Sequence, residues 1–121
     1  MNKALPLLSA ILAWLLAAFF LFGAYGNAFI SDQYAAAYAA WGYPDWFHYI
    51  TAALELTAGI LLIRSATRAF GAALGAVVMA AATLTTLANA DYGHAVAPAV
   101  VLAVSLAVLG LPLAFRRNRK A

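Results

Sequence analysis

The chain has 121 residues, of which 67% are hydrophobic and only 9% charged. A soluble domain usually carries roughly 25% charged residues, so a chain this short and apolar lacks the polar surface a water-soluble fold needs, and its composition assigns it to a membrane. The absence of cysteine excludes disulfides, thiol redox chemistry, thiolate metal sites and iron–sulfur clusters, and no basic stretch interleaved with aromatics in a polar domain supports nucleic-acid binding.

Four apolar segments follow one another, at 5–22, 46–63, 69–88 and 95–115. Each reaches the length a helix needs to cross the hydrocarbon core, about 20 residues with a range of about 17 to 25. A backbone in lipid must satisfy its own hydrogen bonds, so all four are read as helices. The expected fold is all-α, an integral membrane four-helix bundle forming one domain over residues 1–121. Pro6 falls in the opening turn of the first helix, where its missing N–H costs little. Pro98 is expected in the first turn of the fourth, and Pro112 near its end. A cleaved signal peptide is disfavoured for the first segment. Its apolar run exceeds the usual 7–15 residues, and cleavage would leave three spans.

The long connection after the first span contains "SDQYAAAYAAWG", which is read as a short interfacial helix over about 31–41. Ser31 can cap it, Asp32 suits its first turn, and Gly42 with Pro44 stops it. Tyr34, Tyr38 and Trp41 recur at spacings of four and three, so they share a face. All six tyrosines and two of the three tryptophans fall on this side of the chain. They form either an aromatic belt at the headgroup level or a lid over a pocket opening outward, and the same residues can serve both.

The seven basic residues set the orientation. Lys3, Arg64, Arg68, Arg116, Arg117, Arg119 and Lys120 all lie before the first span, between the second and third, or after the fourth. The other two connections carry Asp32, Asp45 and Asp91 and no Lys or Arg. This positive-inside bias places both termini in the cytoplasm. In the third span, Gly71 and Gly75 form G-x-x-x-G, and alanine is abundant in all four. Small residues let membrane helices approach closely, and the short second and third connections make successive spans antiparallel neighbours.

One residue stands against its surroundings. In "HYITAALELTAGILLI", Glu55 lies nine residues in from Trp46. At about 1.5 Å per residue that is some 13 Å below the outer boundary, near the middle of a core about 30 Å thick. Inserting an acid there costs about 2.5–3.5 kcal/mol, so Glu55 should face the bundle interior. A protonated Glu can donate a hydrogen bond to a carbonyl or hydroxyl, in protein or ligand. Thr51 and Gly59 flank it at four residues on either side, and His48 lies seven away on the same face, about 10 Å along the axis. Ser105 falls at a similar depth in the fourth span. These residues and His94 are the candidate ligand-binding set. The competing reading makes Glu55 a structural hydrogen-bond partner between helices. His48 and His94 fall near the outer ends of helices, and a plain structural role is favoured over metal or haem ligation, because no ligand spacing is present. No nucleophile elbow or glycine-rich phosphate loop occurs, and no catalytic residue is assigned.

The stretch "GYPDWFHYITAALELTAGILLI" (42–63) resembles the second helix of the DoxX-like family of small membrane proteins, which shows G-x-P-x-W/F before the span and E-L-x-x-G within it. The later "RAFGAALGAVVMAAATLTTLANADYGHAVAPAV" is also similar. The family's characteristic positions map to Pro44, Glu55, Leu56, Gly59, His94 and Pro98. The resemblance implies a four-helix membrane bundle in a bacterial inner membrane. Some relatives are subunits of quinone-coupled sulfur oxidation and others are linked to membrane oxidoreductase complexes. The expectation is therefore a non-catalytic or accessory membrane component with a lipophilic ligand such as quinone near Glu55. The second to fourth spans would form the pocket, and the 31–41 segment would cover its outer mouth. Partners would be the lipid bilayer together with a membrane oxidoreductase subunit or a second copy. The alternatives are a small transporter or proton-linked permeation unit using Glu55 as its titrating site, and a purely structural assembly partner.

Overall fold

The computed structural model describes residues 4–120, with side chains through Leu113. Lys3 lies outside the described residues, as do the side chains of Arg116, Arg117, Arg119 and Lys120, so the terminal charges used for orientation carry no structural description. Among the described residues there are helices and no strands: α1 (Ala4–Ala28), α2 (Asp32–Ala40), α3 (Phe47–Ile63), α4 (Arg68–Ala88) and α5 (Tyr92–Lys120).

Local chemistry sets the ends of these helices. The Ser31 side chain accepts from the Tyr34 N–H at 3.3 Å, capping α2. Gly42, at φ +92°, takes the left-handed conformation that turns the chain after α2. At the other end of α3, Arg68 donates to the carbonyls of Leu62 (3.1 Å) and Ile63 (3.2 Å), and Thr67 donates to Leu61 at 2.7 Å. These side chains satisfy carbonyls that the helix end leaves open. Helix α4 closes with Ala90 at φ 55° and the paired bonds Asp91 N–H to Thr86 O and Ala90 N–H to Leu87 O, a Schellman arrangement.

Two boundaries differ from the apolar runs. Helix α1 continues six residues past Phe22 to Ala28, because Asn27 folds its amide back onto the Gly23 carbonyl (3.1 Å) and finds a further partner on α3. Helix α5 begins at Tyr92, so Pro98 sits inside it rather than in its first turn. Asp91, just before that start, is held by His94 and Trp41, which fixes the chain where the helix begins.

Helices α1, α3, α4 and α5 form a ring in that spatial order, with α5 returning to α1. Helices α1 and α4 touch across its short diagonal, whereas α3 and α5 make no close backbone approach. The core is small and alanine-rich, built from Ala13, Leu16, Ala17, Phe20, Ala58, Leu62, Ala72, Met79 and Val108. Glycines permit this closeness. A Cβ on Gly71 would meet backbone atoms of α3, the Leu62 nitrogen at 2.8 Å and the Ala58 oxygen at 2.9 Å. On Gly75 it would meet the buried Phe20 ring at 2.6 Å. Both glycines of the G-x-x-x-G pair are thus occupied within the chain.

The outside is as apolar as the inside. Phe22 (78% exposed), Phe70 (71%) and Val77 (67%) project outward from helices whose cores face the bundle. So large an exposed apolar surface has no place in water and a natural one in lipid. Helices α1, α4 and α5 (through Leu113) are each long and apolar enough to cross a membrane. Helix α3, with 17 residues, is shorter and lies at the lower limit of spanning length.

Candidate functional site

Glu55 is 4% exposed and faces α1. Space for its carboxyl exists because residue 23 is glycine: a Cβ there would overlap the Glu55 carboxyl oxygen. One turn further along α1, the Asn27 amide donates to Glu55 Oε1 at 2.9 Å and to the Gly23 carbonyl at 3.1 Å. A carbonyl accepts only, so the Gly23 contact fixes which end of the Asn27 amide is nitrogen. Its oxygen then accepts from the Tyr38 hydroxyl of α2 at 2.8 Å. The Asn27 backbone oxygen takes a further bond, 2.6 Å long, from His48 Nδ1. That oxygen too is an acceptor, so Nδ1 carries the proton and, in neutral imidazole, Nε2 presents a lone pair.

The result is a directed network. Tyr38 donates to Asn27, and Asn27 donates to Glu55. Burial raises the pKa of the Tyr38 hydroxyl, and the nearby Thr51 hydroxyl offsets part of that effect. Among the described residues no buried side-chain nitrogen or oxygen lacks a partner, so the cost of desolvating these groups is met locally.

Of the residues expected at the site, the structure brings Glu55, His48 and Thr51 together around Asn27 and Tyr38. The others lie elsewhere. Gly59 lets α1 approach α3: a Cβ there would meet the Leu21 side chain at 2.9 Å and the Ala17 carbonyl at 3.3 Å. Ser105 is fully buried on α5 and bonds back to the Val101 carbonyl at 2.8 Å. His94 belongs to a second cluster at the loop end. The pocket was expected among the second to fourth spans, whereas the hydrogen-bonded cluster around Glu55 stands on α1, α2 and α3. The reason is Asn27, which lies beyond the apolar run that marked the first span. A signal for it existed, since Gly23 and Asn27 are four apart and share a helix face.

One cavity is lined by chain neighbours of the network and another by two of its members. An open trough of about 300 Å³ runs between α1 and α3, lined by Leu21, Ala24, Tyr25, Ala28, Ala52, Ala53 and Leu56. A smaller and more enclosed cavity of about 130 Å³ lies beneath α2, against Tyr38, Tyr43, Asp45 and His48. Aromatic rings wall this end of the bundle. Tyr38 meets Trp41, Tyr43 and Phe47 at centroid distances of 5.6, 6.0 and 6.2 Å, and Tyr43 stacks on Phe47 at 4.2 Å.

Helix α2 is tethered at its far end by the second cluster. Trp41 Nε1 donates to Asp91 Oδ2 at 3.1 Å, and His94 Nδ1 donates to the same carboxylate at 2.9 Å. The His94 hydrogen bond, helped by Trp41 and opposed by some desolvation, holds the Asp91 carboxyl below its ordinary range. A carboxyl with a depressed folded-state pKa contributes stability above its unfolded value and loses it as pH falls. Acidification below about pH 4, the ordinary Asp value, should therefore loosen α2. Hydrogen exchange of α2 amides should accelerate there relative to α3, and Asp91→Asn should abolish that pH step. Unchanged exchange in the wild type at low pH would show that the tether does not hold α2.

No group of three or more His, Cys, Asp or Glu able to hold a metal occurs among the described residues. The model of the DoxX-like family matches residues 11–108 of the chain. No curated protein and no solved structure is significantly similar to it.

Proposed function

Because the chain belongs to the DoxX-like family, we propose that it is a four-span protein of a bacterial inner membrane, with both termini cytoplasmic and α2 lying in the outer interface. In this reading it is a non-catalytic or accessory component that binds a lipophilic ligand such as a quinone. The observation that carries the reading is the Asn27–Glu55 pair, whose chain neighbours on α1 and α3 line an open apolar trough. Ala52 and Leu56 of the trough flank Glu55 on α3, and Ala24 follows Gly23 on α1. A hydrocarbon chain would lie in the trough, its polar head exchanging hydrogen bonds with the carboxyl, as in ligand sites that are mostly apolar with a few fixed polar groups.

The test is extraction and mass spectrometry of what co-purifies with the protein in mild detergent, comparing wild type, Glu55→Gln and Glu55→Ala. A quinone or related lipid is expected in the wild type, largely kept by Glu55→Gln and lost from Glu55→Ala. An empty wild type would overturn the reading. The complete pairing of the buried side-chain groups among the described residues favours a second reading, in which Glu55 is interhelical glue for an assembly partner. Both variants would then lower thermal stability without changing any bound molecule. A proton-linked permeation unit would instead lose function equally in both variants.

A further inference from the structure

The cavity beneath α2 has a chemistry distinct from the trough, and it does not depend on the lipophilic-ligand reading. Its lining divides into apolar walls (Ile30, Ala35, Ala39, Pro44) and four side chains with polar atoms, Tyr38, Tyr43, Asp45 and His48. The two tyrosine hydroxyls are committed elsewhere. Tyr38 donates to Asn27, and Tyr43 shares a 2.7 Å bond with the Thr85 hydroxyl. What these residues bring to the cavity is ring surface. His48 has its Nδ1–H tied to the Asn27 carbonyl, so neutral His48 has only the Nε2 lone pair left to offer. The Asp45 carboxylate takes no hydrogen bond from the described residues.

The polar inventory is therefore dominated by acceptors, one of them charged, beside aromatic faces. Such a set repels anions and offers a neutral acceptor ligand at most the Tyr43 hydroxyl, whose bond with Thr85 can run in either direction. It matches a cation that donates N–H bonds: the carboxylate supplies charge, Nε2 accepts one bond, and the rings supply cation–π attraction. The surrounding charge agrees. Residues 23–46 and 89–94 contain Asp32, Asp45 and Asp91 and no Lys or Arg, so the field at this end favours a cation. Size narrows the class further, because about 130 Å³ holds a few water molecules or a ligand of a few heavy atoms. We infer that the cavity enclosed by Tyr38, Tyr43, Asp45 and His48 is a binding site for a small primary ammonium ion.

Isothermal titration calorimetry of the whole chain in mild detergent at neutral pH tests this, with ethylammonium chloride as the probe. Potassium chloride and sodium acetate serve as comparison salts. Saturable binding of ethylammonium is expected, with none for acetate and much weaker binding for potassium, which has no N–H to donate. Asp45→Asn should weaken ethylammonium binding about tenfold or more, since a charge-assisted bond is lost. Asp45 is exposed and its carboxylate takes no hydrogen bond from the described residues, so this variant keeps the fold, and an unchanged thermal midpoint verifies it. Ala39→Leu, which fills the cavity from α2, should abolish binding. The inference is overturned by a wild type that shows no saturable binding, by potassium binding as tightly as ethylammonium, or by an Asp45→Asn variant that binds like the wild type.

Discussion

Asn27→Leu should be the most damaging substitution in α1, although it is close in size and falls at the end of an apolar helix. It removes the donor to Glu55 and the acceptor for Tyr38 together, and it leaves a buried carboxyl with nothing opposite. Each buried group stranded in this way costs about 1–3 kcal/mol. With two groups losing their partner, and Tyr38 only half-buried, a total loss of about 2–4 kcal/mol is expected. Unfolding in a denaturing detergent titration would measure it. Glu55→Leu in the Asn27→Leu background should recover part of the loss, because replacing both partners removes the stranded polar group. A double variant no more stable than Asn27→Leu alone would sink the claim that the two side chains act as a pair.

Gly71→Val should separate α3 from α4. The new Cβ would press on the α3 backbone itself, at Leu62 N and Ala58 O, and backbone cannot swing aside as a side-chain tip can. Overpacking of this kind costs about 1–3 kcal/mol. Gly71→Ala meets the same obstacle with a smaller group, offset by a helix-propensity gain of up to about 1 kcal/mol. It should therefore lose less than Gly71→Val. Gly110→Ala is the control, since a Cβ there meets nothing within 4 Å and the change should be neutral or mildly stabilising. Thermal midpoints in detergent would rank the three, and a Gly71→Val variant as stable as Gly110→Ala would deny the close approach.

What the sequence disclosed followed from periodicity and cost. The apolar runs located the long helices, Ser31 and Gly42 delimited α2, and the depth of Glu55 in its helix turned its side chain inward. The family resemblance rested on the same stretch around Glu55, and the family model extends it over residues 11–108. Helix register was not legible. Spacing along α3 showed that Thr51, Glu55 and Gly59 share a face, but the helix opposite that face depends on packing between segments far apart in the chain. Ser105 matched Glu55 in depth and still lies on α5, across the ring from α3. Asn27 was passed over for the converse reason. Polar residues at the end of an apolar run are taken for loop, whereas its bonds to Gly23 and to Glu55, 28 residues away, accompany its place within α1.

The order of the network along the chain has a consequence for biosynthesis. Gly23, Asn27, Tyr38, His48 and Thr51 all precede Glu55, so every group gathered around the acid has left the ribosome before it does. The acid can therefore be matched while α4 and α5 are still being translated. The group that satisfies its carboxyl comes from α1 and is held in turn by α2, so the completed ring is not needed for it. The seam between α1 and α5 joins the first helix made to the last. The nascent protein would thus bury its one difficult residue early and close around it at the end of synthesis.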